Sequence, residues 1–216
     1  MNGTTFGGSV NLGNVPTSWD IVGSGDFNRD GKSDILWQNA SGARAVWVMN
    51  GITLSGSLNL GNVSTSWDIA GAGDFNGDRQ SDILWQHTSG ARAIWLMNGA
   101  VRTSSVSLGN VSTSWTIEGS GDFNGDGKTD ILWQQTSGAR AIWLMNGTVR
   151  TGSVSLGNVA TSWDIAGSGD FNSDGKADIL WQNTSGARAI WLMNGLSLGM
   201  SVNLGTVSPA WDIRNF

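Results

Sequence analysis

Residues 121–133 read Gly-Asp-Phe-Asn-Gly-Asp-Gly-Lys-Thr-Asp-Ile-Leu-Trp, and close variants of this phrase begin at Gly25, Gly73 and Gly169. Each copy joins a polar loop of nine residues to an apolar run. The loops hold Asp26, Asp30 and Asp34, then Asp74, Asp78 and Asp82, then Asp122, Asp126 and Asp130, then Asp170, Asp174 and Asp178. The chain has 17 acids, and Glu118 is the only glutamate. Its formal charge of −5 is therefore concentrated in discrete clusters rather than spread over an acidic surface, and it argues against the electrostatic footprint of a nucleic-acid binder.

The tryptophans set the period. Trp19, Trp67, Trp115, Trp163 and Trp211 recur every 48 residues, and the units 67–114 and 115–162 are identical at 38 of 48 positions. The 216 residues form a single repeat domain with units 19–66, 67–114, 115–162 and 163–210, and half-repeat ends 1–18 and 211–216. Within the first unit, Trp19–Gly25, Ile35–Gln38 and Ala43–Met49 read as strands. Asn50-Gly51 is a tight-turn signal, and a weaker strand is expected around Ser57–Leu60. No stretch offers helical periodicity without a glycine or turn residue. The pattern predicts an all-β propeller of four-stranded blades, four of them full, with a half repeat split over the two ends. The middle strands are apolar on both faces, as strands packed on both sides must be. Most tryptophans are thus expected in the core, where each buries ~150–250 Å². The ends, Ser9–Leu12 and Trp211–Phe216, lack the two middle strands between them. This leaves a ring with an incomplete blade, a ring shared between chains, or part of a longer array.

Oxygen donors at loop positions 1, 3, 5 and 9, a glycine at 6 and a carbonyl at 7 suit calcium, which prefers hard oxygen ligands in flexible coordination. Without a cation, three neighbouring carboxylates repel one another. Arg79 stands where the other loops have glycine, so the second site is expected to be the weakest.

The phrase at 121–133 resembles the FG-GAP or VCBS-type repeat of β-propellers, the class that includes the integrin α-subunit head. The resemblance covers essentially the whole chain. It implies a calcium ion between the first two strands of each blade. The implied ligands are Asp26, Asn28, Asp30 and Asp34; Asp74, Asn76, Asp78 and Asp82; Asp122, Asn124, Asp126 and Asp130; and Asp170, Asn172, Asp174 and Asp178. The carbonyls of Lys32, Gln80, Lys128 and Lys176 are expected to complete the shells. No base, nucleophile or second metal accompanies the loops, so the ions are expected to be structural.

A second charge recurs. Arg44, Arg92, Arg140 and Arg188 share one phase, and Asp20, Asp68, Asp164 and Asp212 share another. The third unit has Thr116 at the acidic phase, with Glu118 two residues on and so on the same strand face. An ion pair within or between blades is the expected use, and ligand binding is the alternative. Candidate ligand contacts are Trp37, Gln38 and Arg44; Trp85, Gln86 and Arg92; Trp133, Gln134 and Arg140; and Trp181, Gln182 and Arg188.

The sequence has no Cys, no Tyr and a single His, His87, at a position that elsewhere holds Asn or Gln. No catalytic constellation recurs, and no enzyme is expected. No apolar run reaches the ~20 residues of a membrane span, and Met1–Phe6 lacks the features of a signal peptide. The leading expectation is a secreted, calcium-stabilised, lectin-like module that binds carbohydrate or another cell-surface ligand multivalently. The alternative is a purely structural or self-associating scaffold, natural or a consensus-like engineered repeat.

Overall fold

The computed structural model describes residues 10–211 and 213. It contains four antiparallel sheets of four strands, each a simple meander in chain order. Blade one comprises β1 (Trp19–Gly25), β2 (Asp34–Asn39), β3 (Ala43–Asn50) and β4 (Thr53–Asn62). Blade two comprises β5 (Trp67–Gly73), β6 (Asp82–His87), β7 (Ala91–Asn98) and β8 (Val101–Asn110). Blade three comprises β9 (Trp115–Gly121), β10 (Asp130–Gln135), β11 (Ala139–Asn146) and β12 (Val149–Asn158). Blade four comprises β13 (Trp163–Gly169), β14 (Asp178–Asn183), β15 (Ala187–Asn194) and β16 (Ser197–Thr206). The first strands of successive blades touch, β1 with β5, β5 with β9 and β9 with β13, so they form the inner edge of a propeller. No helix among the described residues is long and apolar enough to cross a membrane.

The core lies between blades. Leu36 and Val46 of blade one pack on Ile69, Ile83, Trp85 and Ala93 of blade two, and the set repeats at the next two junctions. Asp82, Ile83, Leu84 and Trp85 of β6 are all buried, as expected for a middle strand covered on both faces. The outer strands correct the sequence reading. Expected to be short and weak, β4, β8, β12 and β16 are each ten residues long. Their side chains are mostly exposed and polar, so hydrophobic patterning is faint; the ladder to the third strand holds them.

Blades approach closely where the inner strands end. A Cβ on Gly73 would meet Thr129 Cγ2 at 2.6 Å, and one on Gly121 would meet Ala177 Cβ at 2.7 Å. Only glycine lets the next blade's loop come so near.

The expected strand at Ser9–Leu12 is not seen over Val10–Leu12, which have no regular structure, and Ser9 lies outside the described residues. Of the expected strand Trp211–Phe216, only Trp211 and Ile213 are described. These two nevertheless make inner-strand hydrogen bonds: Arg188 Nη2 donates to the Trp211 carbonyl at 2.5 Å, and the Ile213 amide donates to Gln182 Oε1 at 3.0 Å.

Candidate metal loops and the blade junction

Each acidic loop is folded by its own backbone amides. In the third, Asp122 Oδ1 accepts from the amides of Gly125 (2.7 Å) and Asp126 (3.1 Å), and Oδ2 accepts from Gly127 (2.7 Å). Asn124 Oδ1 accepts from Asp126, and Asp126 Oδ1 accepts from Lys128, both at 2.9 Å. The other loops repeat this pattern around Asp26, Asp74 and Asp170. Backbone amides hold the exposed Asp170 carboxyl below the usual range, that of Gly175 most of all.

The ninth residue behaves differently. Asp130 is fully buried, its Oδ2 accepting from the Phe123 amide at 3.2 Å and its Oδ1 from the Met145 amide at 2.9 Å. Asp34, Asp82 and Asp178 do the same with Phe27 and Met49, Phe75 and Met97, and Phe171 and Met193. Burial pushes the Asp82 and Asp130 carboxyls up to about 6, against the pull of those amides and helped by the charges at positions 5 and 1 of the same loop. The ninth aspartate thus staples the loop to the end of the third strand. Among the described residues, no group of three or more acidic or histidine side chains is gathered as a cation cage. The position-7 side chains also act as ties: Lys128 Nζ donates to Asn146 Oδ1 at 2.5 Å, Lys32 Nζ to Asn50 Oδ1 at 2.7 Å, and Gln80 Oε1 accepts from the Gly99 amide at 2.9 Å.

A model of the FG-GAP-like repeat matches residues 26–85, 74–133 and 122–181, which together run through all four loops. The chain belongs to the FG-GAP-like repeat family. No curated protein matches it. Two solved structures match it in part at low identity. One is the Photorhabdus luminescens Tc holotoxin pore carrying the TccC3-D651A mutation, at 13% identity and a TM-score of 0.48, with 74% of this chain and 9% of that chain covered. The other is Chaetomium thermophilum Raptor, at 11% identity and a TM-score of 0.49, with 90% and 17% covered. The chain therefore spans a small part of either.

In the FG-GAP-like loops, two positions lie in the left-handed region, one more than the sequence reading anticipated. Position 6 holds Gly31, Arg79, Gly127 and Gly175, with Arg79 at φ 70°; position 4 holds Arg29, Gly77, Gly125 and Ser173, with Arg29 at 65° and Ser173 at 63°. Three loops thus carry one strained non-glycine residue each, and only the third carries none. Left-handed backbone costs a residue with a Cβ about 1–2 kcal/mol. Arg79→Gly is accordingly expected to raise stability by about 1 kcal/mol in urea unfolding, Arg29→Gly and Ser173→Gly to behave alike, and Gly127→Arg to lower it by about as much. Equal stability for Arg79→Gly and the parent would show that the backbone there is relaxed.

The loops also join blades. The Ala177 amide donates to the Asp122 carbonyl and the Ser81 amide to that of Asp26, both at 2.7 Å, while Thr129 Oγ1 donates to the Asp74 carbonyl at 3.1 Å. At the other pole, Arg140 Nη2 donates to the Trp163 carbonyl of the next blade at 2.7 Å. Arg44 and Arg92 reach Trp67 and Trp115 in the same way at 2.8 Å. Gln38 Nε2 donates to Asp68 Oδ1 at 2.9 Å and its Oε1 accepts from the Ile69 amide; Gln134 repeats this with Asp164 and Ile165.

These contacts refine the expected Arg–acid pairing. The described guanidinium contacts are to carbonyls, and glutamine touches the acid. Burial lowers the Arg44 and Arg140 pKa values, and the next blade's Asp68 or Asp164 opposes this, joined for Arg140 by Glu118. Glu118 itself accepts from Thr116 Oγ1 at 2.5 Å, so the displaced acid still serves the same face.

The predicted Trp-Gln-Arg triplets do not assemble within a blade. Gln38 pairs with Arg44 and Trp37 with Ala45, so Trp37 points to the opposite face. What meets instead is the arginine of one blade and the tryptophan of the next: Arg44 lies over Trp85, Arg92 over Trp133 and Arg140 over Trp181, at 5.5–5.7 Å. Trp37, Trp85, Trp133 and Trp181 are buried, each tilted against a neighbour, Trp47, Trp95, Trp143 or Trp191, at 4.5–4.8 Å. Their Nε1 atoms, and the Nε atoms of Arg44, Arg92 and Arg140, have no oxygen or nitrogen partner.

His87 Nδ1 lies 2.7 Å from Ser89 Oγ. Asn39 and Asn183 make the same contact with Ser41 and Ser185, so His87 replaces an asparagine that closes a turn. Sequence reasoning missed the half-buried partners Trp47 and Trp95. Trp19, Trp37 and Trp47 line a cleft of about 250 Å³ on blade one, and Trp67, Trp85 and Trp95 line one of about 240 Å³ on blade two. The 48-residue phase of these three positions was the signal that could have found them.

Proposed function

We propose that the chain is a calcium-stabilised, non-enzymatic propeller module of the extracellular space that binds carbohydrate at repeated tryptophan-lined clefts. The observation that carries this is the recurrence of one cleft, with the same three tryptophan positions and nearly the same volume, on two successive blades. Indole surfaces suit the apolar faces of sugars, and equivalent weak sites suit multivalent binding. The non-enzymatic reading is supported by the turn role of His87 and by the symmetry of the four units.

The loops fit a hard divalent cation by the chemistry of their donors. Positions 1, 3 and 5 bring carboxylates and an amide oxygen onto one loop whose backbone is already turned, with the position-9 carboxylate at its base. Asp26, Asn28, Asp30, Asp34 and the Lys32 carbonyl would hold the ion in the first loop, and their equivalents in the others. A bound calcium ion supplies the positive charge that offsets their mutual repulsion. Binding to the folded chain alone adds about 1.4 kcal/mol per site at tenfold excess over Kd.

A glycan array read in calcium and in chelator tests both parts. Binding is expected in calcium, with loss in the double variant Trp47→Ala, Trp95→Ala. Calorimetry on the chelated protein is expected to show up to four ions at ~0.1–1 mM, the affinity of extracellular modules, tightest at the strain-free third loop and weakest at the second. No glycan binding in either condition removes the lectin reading. No calcium uptake removes the metal. A scaffold role is favoured by one observation, that Gln38, Arg44 and Trp85 are all consumed in joining blades.

A further inference from the structure

Among the described residues, blade one and blade four each present one face on which no further blade packs, and these faces are the two halves of an interface the chain already makes three times. Phe27, Phe75 and Phe123 are fully buried at junctions, whereas the equivalent Phe171 of blade four is 47% exposed and Leu204 is 50% exposed. Leu36, Leu84 and Leu132 are fully buried, but Leu180 is half-buried. On blade one, Ile21 is 36% exposed, while its equivalents Ile69, Ile117 and Ile165 are at 7%, 4% and 4%. Ile35 is half-buried where Ile83, Ile131 and Ile179 are fully covered.

We infer that blade four of one copy receives blade one of a second copy, head to tail, in the register of the internal junctions. The groups required are present in phase. Arg188 and Gln182 stand where Arg140 and Gln134 stand, and β1 offers Trp19, Asp20 and Ile21 where β13 offers Trp163, Asp164 and Ile165. Asp170 and Ser33 correspond to the carbonyl–amide pair Asp122 and Ala177. Trp211 and Ile213 make the inner-strand hydrogen bonds on blade four, and in sequence residues 211–213 repeat the Trp-Asp-Ile of residues 19–21. The incoming β1 takes that place, because it brings with it β2 to β4 and the apolar face that Ile21 and Ile35 belong to. A head-to-tail contact closes when its rotation closes, and two four-bladed copies make eight blades, within the ~4–8 of known rings. The inference depends on neither the sugar nor the calcium reading.

Light scattering on the full chain across a concentration series tests it. The expected mass is twice the 22.7 kDa of one copy. Leu204→Asp, on the blade-four face, and Ile21→Asp, on the blade-one face, are each expected to give folded monomers with the parent's circular dichroism and with a melting point that no longer rises with protein concentration. Mixed together, the two variants are expected to pair, since each retains the face the other has lost. A parent that stays monomeric at about 1 mM overturns the inference. So does an oligomer that survives both substitutions, or a mixture of the two folded variants that does not associate.

Discussion

Asp130→Ala is expected to destabilise the protein by about 3–5 kcal/mol in urea unfolding, and to do so equally in chelator. The carboxylate is buried and takes the Phe123 and Met145 amides on separate oxygens. Removing it leaves two buried donors unsatisfied, each costing about 1–3 kcal/mol, and frees the loop from β11. That is a large part of a domain's usual 5–15 kcal/mol. Asp126→Ala is the contrast. Its side chain is exposed and serves only the loop, so in chelator the change is expected to cost under about 1 kcal/mol, and on the proposed calcium reading the variant is expected to gain no stability when calcium is added. Asp130→Asn keeps an acceptor for one amide and is expected to fall between. If Asp130→Ala and Asp126→Ala cost the same in chelator, the ninth position has no stapling role apart from the cation.

The fold was legible because the repeat is simple. Strand starts at Trp19, Ala43 and their equivalents, the loop between Gly25 and Asp34, and the turn at Asn50-Gly51 all follow from local patterning that tertiary contacts reinforce. The outer strands were under-read because Thr53–Asn62 is exposed and polar, so its structure comes from backbone pairing that hydropathy does not record. At the loops, composition identified the acids but not their division of labour. Asp26 and Asp34 look alike in sequence; burial alone separates the carboxylate that shapes the loop from the one that anchors it. Position 4 was missed as a left-handed site because Arg29 and Ser173 hide what Gly77 and Gly125 announce. The Trp-Gln-Arg triplets were misgrouped for a geometric reason. Neighbours in one strand point to opposite faces, so each arginine meets not the tryptophan of its own blade but the one 41 residues further on, in the next blade, and one sequence read linearly gives no sign of which blade supplies which wall.

The second large effect follows from that junction. Arg140→Ala is expected to cost about 3–5 kcal/mol. The side chain is 1% exposed, donates to the carbonyls of Trp163, Ala139 and Gln135, and lies 5.5 Å from the Trp181 ring centre. Truncation therefore opens a cavity and strands the Trp163 carbonyl. Arg140→Met fills the space without restoring the donor, and is expected to recover about half of the loss. Arg188→Ala, in the same phase of blade four, is expected to cost only about 1 kcal/mol in the monomer, since its partner beyond the blade is the Trp211 carbonyl, which belongs to no paired strand among the described residues. The main contacts between blades join successive blades, so stability is close to a sum over junctions. Loss of the third junction should loosen blade four before the rest. Hydrogen exchange in Arg140→Ala is then expected to rise across β13–β16 while β1–β8 stay protected. Uniform exchange through all sixteen strands, or equal costs at Arg140 and Arg188, would mean that the propeller unfolds as one cooperative body and that the arginine is not what clasps each blade to the next.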